Sequence, residues 1–347
     1  MIKVLLAVLM LCFCIKAQAV VILQYHHVAE NTPKVTSVTP AQFSEQMAYL
    51  NDNGFKVIPL SQLVDGIRQS TEFADKTVAI TFDDGYKSIA EAAAPILGKY
   101  GFPYTVFISV EPIERHFHSM MDWKTLNQLV EGGAELANHS WGHEHLIRLN
   151  DNETEEQWLA RIEKNLLDTE AAIKEKTGQN HKMLAYPYGE YNLQIEELLK
   201  KHGFVGFGQQ SGAAGLYSSL TALPRFPVAG AYAEFSSLKT KMHSLNMPVL
   251  AMSPKNTQLP MGEWRPEMKL KLDMSDISAK EVTCYIMGKS IKPNWIGDDE
   301  FTIQAQQDLP AGRSRYNCTA RSKSKGRYYW FSQAWIRPKD DGSWIKE

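Results

Sequence analysis

The sequence has almost no net charge: 37 Lys and Arg against 39 Asp and Glu leave −2. Nothing therefore marks the whole chain as a nucleic-acid binder. Internal repeats and low-complexity tracts are missing as well. Hydrophobic residues at 44% and charged residues at 22% are a globular composition, which excludes a chain disordered throughout. Beyond the N-terminus no apolar run is long enough for a transmembrane helix. Cysteine is scarce: four in 347 residues, and two of these, Cys12 and Cys14, lie near the start.

That start reads MIKVLLAVLMLCFCIKAQA. Lys3 makes a short positive region, and residues 4–15 are apolar but too short to span a bilayer. Ala17-Gln18-Ala19 has the small-residue pattern of a cleavage site. The expectation is a secretory signal peptide over 1–19, removed after Ala19, and hence an exported, periplasmic or extracellular protein. Neither Cys12 nor Cys14 follows a small residue, which argues against lipoprotein processing. Cys284 and Cys318 remain, an even pair in an exported chain, and predict a disulfide.

After residue 19, strand-like and helix-like runs alternate. VVILQY (20–25) reads as a strand. Residues 39–54 read as a helix, with Thr39 as N-cap, Pro40 in the first turn and Phe43, Met47 and Leu50 on one face. Strands follow at 77–82, 104–110, 134–140, 183–189 and 205–210, with helices at 89–101, 123–133, 153–178 and 193–203. This alternation predicts a parallel α/β domain able to close into a barrel. Residues 248–266 are rich in proline and polar residues and read as a linker. Beyond it, 267–347 reads as short strands, a small all-β module. Tyr316 two residues before Cys318, with Trp295 between the cysteines, is immunoglobulin-like grammar; the short gap between the cysteines predicts only a small β-sandwich.

TFDDGY (81–86) follows an expected buried strand and sets two carboxylates side by side. Adjacent acids make sense if one ligates a metal and the other stays free as a base. HSWGH (139–143) supplies further ligands, since His139 and His143 are spaced so that one turn can aim both at one point. A carboxylate and two imidazoles leave open positions on zinc for water and substrate. Taken singly, Asp83-Asp84-Gly85 reads as a turn and the histidines as surface residues. Both motifs, however, end expected strands, where a parallel barrel keeps its active site. YPYGEYN (186–192) is a third such element, a rigid turn whose backbone N–H can face a developing oxyanion.

These elements in this order resemble the polysaccharide deacetylases, carbohydrate esterase family 4. The resemblance covers roughly residues 20–247 and implies a distorted (β/α) barrel of about seven strands. It implies Asp83 as general base, and Asp84, His139 and His143 as ligands of a divalent metal, usually zinc. Tyr188 is implied as the backbone donor to the oxyanion. Two departures stand out. The family often has an arginine where this chain has Ala185. It also commonly takes its general acid from a Leu-x-His near the domain's end, and here only His202 and His243 follow Tyr188, neither after a buried strand. LQYHHV at the expected mature N-terminus is similar instead to the circularly permuted branch, which includes exported poly-β-1,6-N-acetylglucosamine deacetylases. There an aromatic–His pair comes first and the arginine is commonly absent, which gives His26 the acid's place.

The function so implied is an exported, metal-dependent N-deacetylase whose partner is an N-acetylglucosamine-containing polysaccharide, with no nucleic acid involved. Chitin oligomers, peptidoglycan or acetylated xylan are alternative substrates, and a non-catalytic glycan binder is the alternative class. Other residues are read as structural. Glu144 and His145 read as solvated loop residues and Asp122 as the start of a helix. Tyr25, Tyr86, Trp141 and Tyr186 are explained by core packing as well as by stacking on sugars. The basic stretch Arg313, Arg315, Arg321, Lys323, Lys325 and Arg327 has two readings, a contact for an acidic glycan and a solvated strand face, and the solvated face is preferred.

Overall fold

The computed structural model describes residues 19–346; the expected signal peptide, but for Ala19, lies outside them. Ten strands belong to the N-terminal part. They are β1 (Val20–Tyr25), β2 (His27–Val28), β3 (Ser37–Val38), β4 (Lys56–Val57), β5 (Thr77–Phe82), β6 (Thr105–Ile108), β7 (Glu135–Asn138), β8 (Met183–Ala185), β9 (Val205–Phe207) and β10 (Phe226–Pro227). Eight of them form one parallel sheet in the order β10-β1-β5-β6-β7-β8-β9, with β4 also on β5. The sheet curls into a distorted barrel, and no ladder joins β9 to β10 among the described residues. β1 and β5 are buried on both faces, as apolar, β-branched runs in a sheet covered by helices should be.

The helices start and stop where local chemistry dictates. Thr39 and Gln42 form a reciprocal capping box before Pro40–Asp52, whose buried face carries Phe43, Met47 and Leu50 as expected, and also Gln46. Gln46 accepts the Tyr25 hydroxyl at 2.9 Å. Thr154 and Gln157 cap Glu155–Thr177 in the same way, and Gly178 ends that helix in the left-handed conformation. Asp122 caps Trp123–Glu131 through the Thr125 N–H.

Register brings the motifs together. Tyr25 lies opposite Phe82, so His26 and Asp83 leave the sheet at the same level, and the Asp83 N–H donates to the Tyr25 carbonyl at 2.9 Å. Ile108 lies opposite Asn138, so His139 leaves beside them and its N–H donates to the Ile108 carbonyl. Each motif thus sits at the carboxyl edge of the sheet.

The C-terminal part is all-β. Its strands are β11 (Leu245–Asn246), β12 (Val249–Ser253), β13 (Glu267–Leu272), β14 (Thr283–Ile286), β15 (Lys289–Ile291), β16 (Asn294–Trp295), β17 (Glu300–Gln304), β18 (Gly312–Arg321) and β19 (Tyr328–Arg337). One sheet runs β11-β19-β18-β14-β15 and the other β12-β13-β17-β16. Their inner faces share one core, which includes Met268, Leu270, Phe301, Ile286, Tyr316 and Trp335. In β13 the alternation EMKLKL sends the methionine and leucines inward and the lysines out.

Two details differ from the sequence reading. The 248–266 stretch is not bare connection, because β12 lies within it and pairs antiparallel with β13. Prolines 248 and 254 flank that short strand, so its composition looks like a loop. The Cys284–Cys318 disulfide is present, but it joins neighbouring strands, β14 and β18, within one sheet. An immunoglobulin bridge links two sheets, so that grammar is not realised here. Tyr316 fastens the sheets instead: its hydroxyl donates to the Pro266 carbonyl at 3.0 Å and accepts the Ala305 N–H at 3.1 Å.

Candidate metal centre and active site

The paired acids part company at once. Asp83 continues the strand inward, whereas Asp84 turns into the left-handed region at φ 76°, followed by Gly85 at φ 85°. A side chain on Gly85 would also crowd Ile108 at 3.1 Å. Ser140, His143 and Tyr188 likewise have positive φ. Four left-handed non-glycine residues in three motifs is a concentration of strain of the kind that functional sites hold.

Asp84, His139 and His143 converge, their ligand atoms all within 4.8 Å of one another. Asp84 Oδ1 lies 3.2 Å from His139 Nε2 and 3.3 Å from His143 Nε2. That oxygen is buried and makes no hydrogen bond. His139 Nδ1 is 2.8 Å from the Ala185 carbonyl, which can only accept, so Nδ1 carries a proton and Nε2 is the ring atom left to offer a lone pair to the site. Burial pushes His143 down to about 4, which keeps its ring neutral near pH 7. An oxygen and two nitrogens presenting lone pairs to one point fit a cation. The donor set, one carboxylate and two imidazoles, is of the zinc type.

Asp83 is fully buried and held by Arg225, a residue the sequence reading missed. The Arg225 guanidinium grips it with two parallel bonds, Nη1 to Oδ1 at 2.6 Å and Nη2 to Oδ2 at 2.8 Å. Gln24 Nε2 also donates to Oδ2 at 2.6 Å. Arg225 is itself fully buried, with its Nε donating to the Gly208 carbonyl at 3.0 Å and its cation over the Phe107 ring. Burial works to raise the Asp83 carboxyl, but the Arg225 charge leads the groups that outweigh it and leave it below the ordinary range. Oδ1 takes a single charged donor, so a lone pair remains on it. The only signal in the sequence was a lone arginine in an apolar, proline-flanked stretch, LPRFP, 142 positions from its partner.

His26 follows β1 and lines the same cavity as Asp84 and His143; its Nδ1 is buried and makes no hydrogen bond. His27, in β2, is instead stacked on Tyr86 at 3.6 Å between centroids. Tyr188 sits in the Pro187–Gly189 turn, its ring 4.5 Å from His143 and 3.7 Å from His145. His145 and Glu144 are therefore not solvated loop residues. His145 Nδ1 bonds Glu190 Oε2 at 2.8 Å, and the half-buried Glu144 accepts the Gly142 N–H. Of the aromatics left open, Tyr25 and Tyr186 are core residues and Tyr86 lines the cavity.

That cavity, of about 730 Å³, has a second wall. Arg313 and Arg315 from β18, with Ala334 and Ile336 paired beside them on β19, line it across from the metal ligands. Arg313 and Arg315 therefore do not lie on a freely solvated strand face. His202 and His243 lie elsewhere, bonded to Glu163 and to the Tyr49 hydroxyl.

Residues 70–207 match the family model described as polysaccharide deacetylase. Among curated proteins, the chain is 25% identical over 247 residues to the poly-beta-1,6-N-acetyl-D-glucosamine N-deacetylase of Escherichia coli, a match covering 60% of this chain but 36% of that protein. It is 29% identical over 198 residues to the Staphylococcus aureus protein of the same name, covering 56% of this chain and 68% of that one. Among solved structures it resembles IcaB from Ammonifex degensii, with a TM-score of 0.56 and 20% identity over 65% of this chain and 98% of that one, a likeness of fold.

Proposed function

Since the chain carries a polysaccharide deacetylase domain, we propose that it is a metal-dependent N-deacetylase that removes acetyl groups from an N-acetylglucosamine-containing polysaccharide outside the cytoplasm. The observation that carries this reading is the Asp84–His139–His143 cluster, with Asp83 set apart from it on Arg225. On this reading the barrel, 20–247, is the catalytic unit and 267–347 an accessory β unit. Zinc suits the donor set best. A divalent cation held by the three ligands would polarise an acetamide carbonyl and acidify a nearby water.

The chain's own groups do the rest. Asp83, ionised and fixed by Arg225, takes the proton of the attacking water through the lone pair left on Oδ1. Tyr188, in its left-handed turn, offers its backbone N–H to the oxyanion. His26 protonates the departing amine, which leaves poorly unless protonated. Acetate departs and glucosamine stays in the polymer. The S. aureus and E. coli likenesses favour a poly-β-1,6-linked substrate.

The test is acetate release from a panel of N-acetylated glycans, with chelator and after zinc is restored. Activity should vanish with chelator and return with metal. Asp83→Asn should keep the metal and lose turnover. No acetate from any glycan, or full activity in metal-free protein, refutes the proposal.

A further inference from the structure

Strand β18 serves two surfaces. Tyr316, Cys318 and Ala320 point into the sandwich core, so by strand alternation Arg313 and Arg315 stand on its other face. There they line the cavity that holds Asp84 and His143. Asp84 is the one carboxylate on that lining among the described residues, and it is committed to the metal centre.

Arg313 and Arg148 share one buried carboxylate, Glu190, at 3.2 and 3.6 Å. Arg315 has no carboxylate within salt-bridge distance among the described residues; its Nη2 donates to the Tyr232 hydroxyl at 2.7 Å and its cation lies over that ring at 5.3 Å. Lys241 flanks the same tyrosine, its Nζ 3.1 Å from the Tyr232 carbonyl and 5.3 Å from the ring centroid. Burial first, and then the Arg315 charge, push Lys241 down to about 8. Two cations, Arg315 and Lys241, thus flank one half-exposed aromatic ring at the mouth of a cleft, with no carboxylate within salt-bridge distance of either among the described residues. An anion placed there would relieve their repulsion, and a guanidinium fork matches a planar carboxylate.

Building on the deacetylase reading, we propose that Arg315 and Tyr232, with Arg313 beside them, form a subsite for a carboxylate-bearing sugar that neighbours the N-acetylated residue in the polymer. The ring offers a flat apolar face and the arginine holds the acid. The preferred glycan is then an acidic one.

The experiment compares oligomers of alternating N-acetylglucosamine and uronic acid with the same oligomers after reduction of their carboxyl groups. Acetate release is followed with the zinc-loaded full chain, and binding is measured by calorimetry on Asp83→Asn. The acidic oligomer should bind and react about 10- to 100-fold better, mainly through KM, as expected for a charged hydrogen-bonded contact. Added salt should shrink the difference. Arg315→Gln should bring the ratio close to one, whereas Arg321→Gln, on the same strand outside the cavity, should preserve it. If neither oligomer releases acetate but the acidic one still binds more tightly, the subsite stands and the proposed activity falls. Equal binding of the two oligomers overturns the subsite, whatever the turnover.

Discussion

Removing Arg225 tests the logic of the paired acids most directly. In Arg225→Met the fully buried Asp83 keeps Gln24 as its remaining side-chain donor. It can stay ionised, at the cost of about 3–5 kcal/mol typical of breaking one side of a buried pair. Alternatively it can take up a proton. With an unfolded carboxyl near pKa 3.9, that costs about 4 kcal/mol at pH 7, from roughly 3.1 pH units at 1.36 kcal/mol each. The second route caps the first, so the electrostatic loss should be about 4 kcal/mol. The Gly208 carbonyl loses its Arg225 donor as well. Urea unfolding of the metal-free full chain, followed by tryptophan fluorescence, measures this. The double variant Asp83→Asn with Arg225→Met leaves no charge stranded and should recover about 2 kcal/mol or more over Arg225→Met alone. A loss below about 1 kcal/mol for Arg225→Met, or strict additivity in the cycle, refutes the argument. Turnover should fall in Arg225→Met whichever route the carboxyl takes, since the base is either protonated or misplaced.

Asp84→Ala and His139→Ala each remove a donor from the cluster, so metal content by elemental analysis and acetate release should collapse together; retained metal in either variant would break the ligand assignment. His26→Ala should bind metal normally and turn over about 10²- to 10⁴-fold more slowly. His27→Ala should cost far less, because His27 is engaged with Tyr86; a dead His27 variant with an active His26 variant would reverse the assignment. The Cys284–Cys318 link closes a 34-residue separation, so chain-entropy reasoning gives a loss of about 3–4 kcal/mol when both are replaced by alanine, read as a lower urea midpoint. Two alkylatable thiols in the unreduced protein would contradict the bridge itself.

Local pattern carried much of this structure. Alternating runs announced the parallel sheet, and the carboxyl-edge position of TFDDGY and HSWGH follows from strands that end just before them. A contact with no local spacing could not be read in that way. Arg225 reaches Asp83 only because β10 returns to lie beside β1. The cleft wall was hidden for a related reason. An RSRYNCTAR strand alternates like any half-solvated strand, and nothing in its own residues says that its polar face meets another part of the chain. His145 was misjudged because an exposed loop and a loop folded over Tyr188 have the same composition.

The two-faced strand also has a consequence in time. Synthesis delivers Asp84, His139 and His143 well before Ala334 and Ile336 of β19, which line the cleft. β19 pairs with β18 along ten positions and holds β11 in parallel, and its Trp330 packs edge-on against Phe226, next to Arg225. A partly synthesised chain therefore owns its candidate metal ligands but only half a cleft. Docking of β19 finishes the cleft, so the candidate ligand cluster is synthesised well before the wall that faces it.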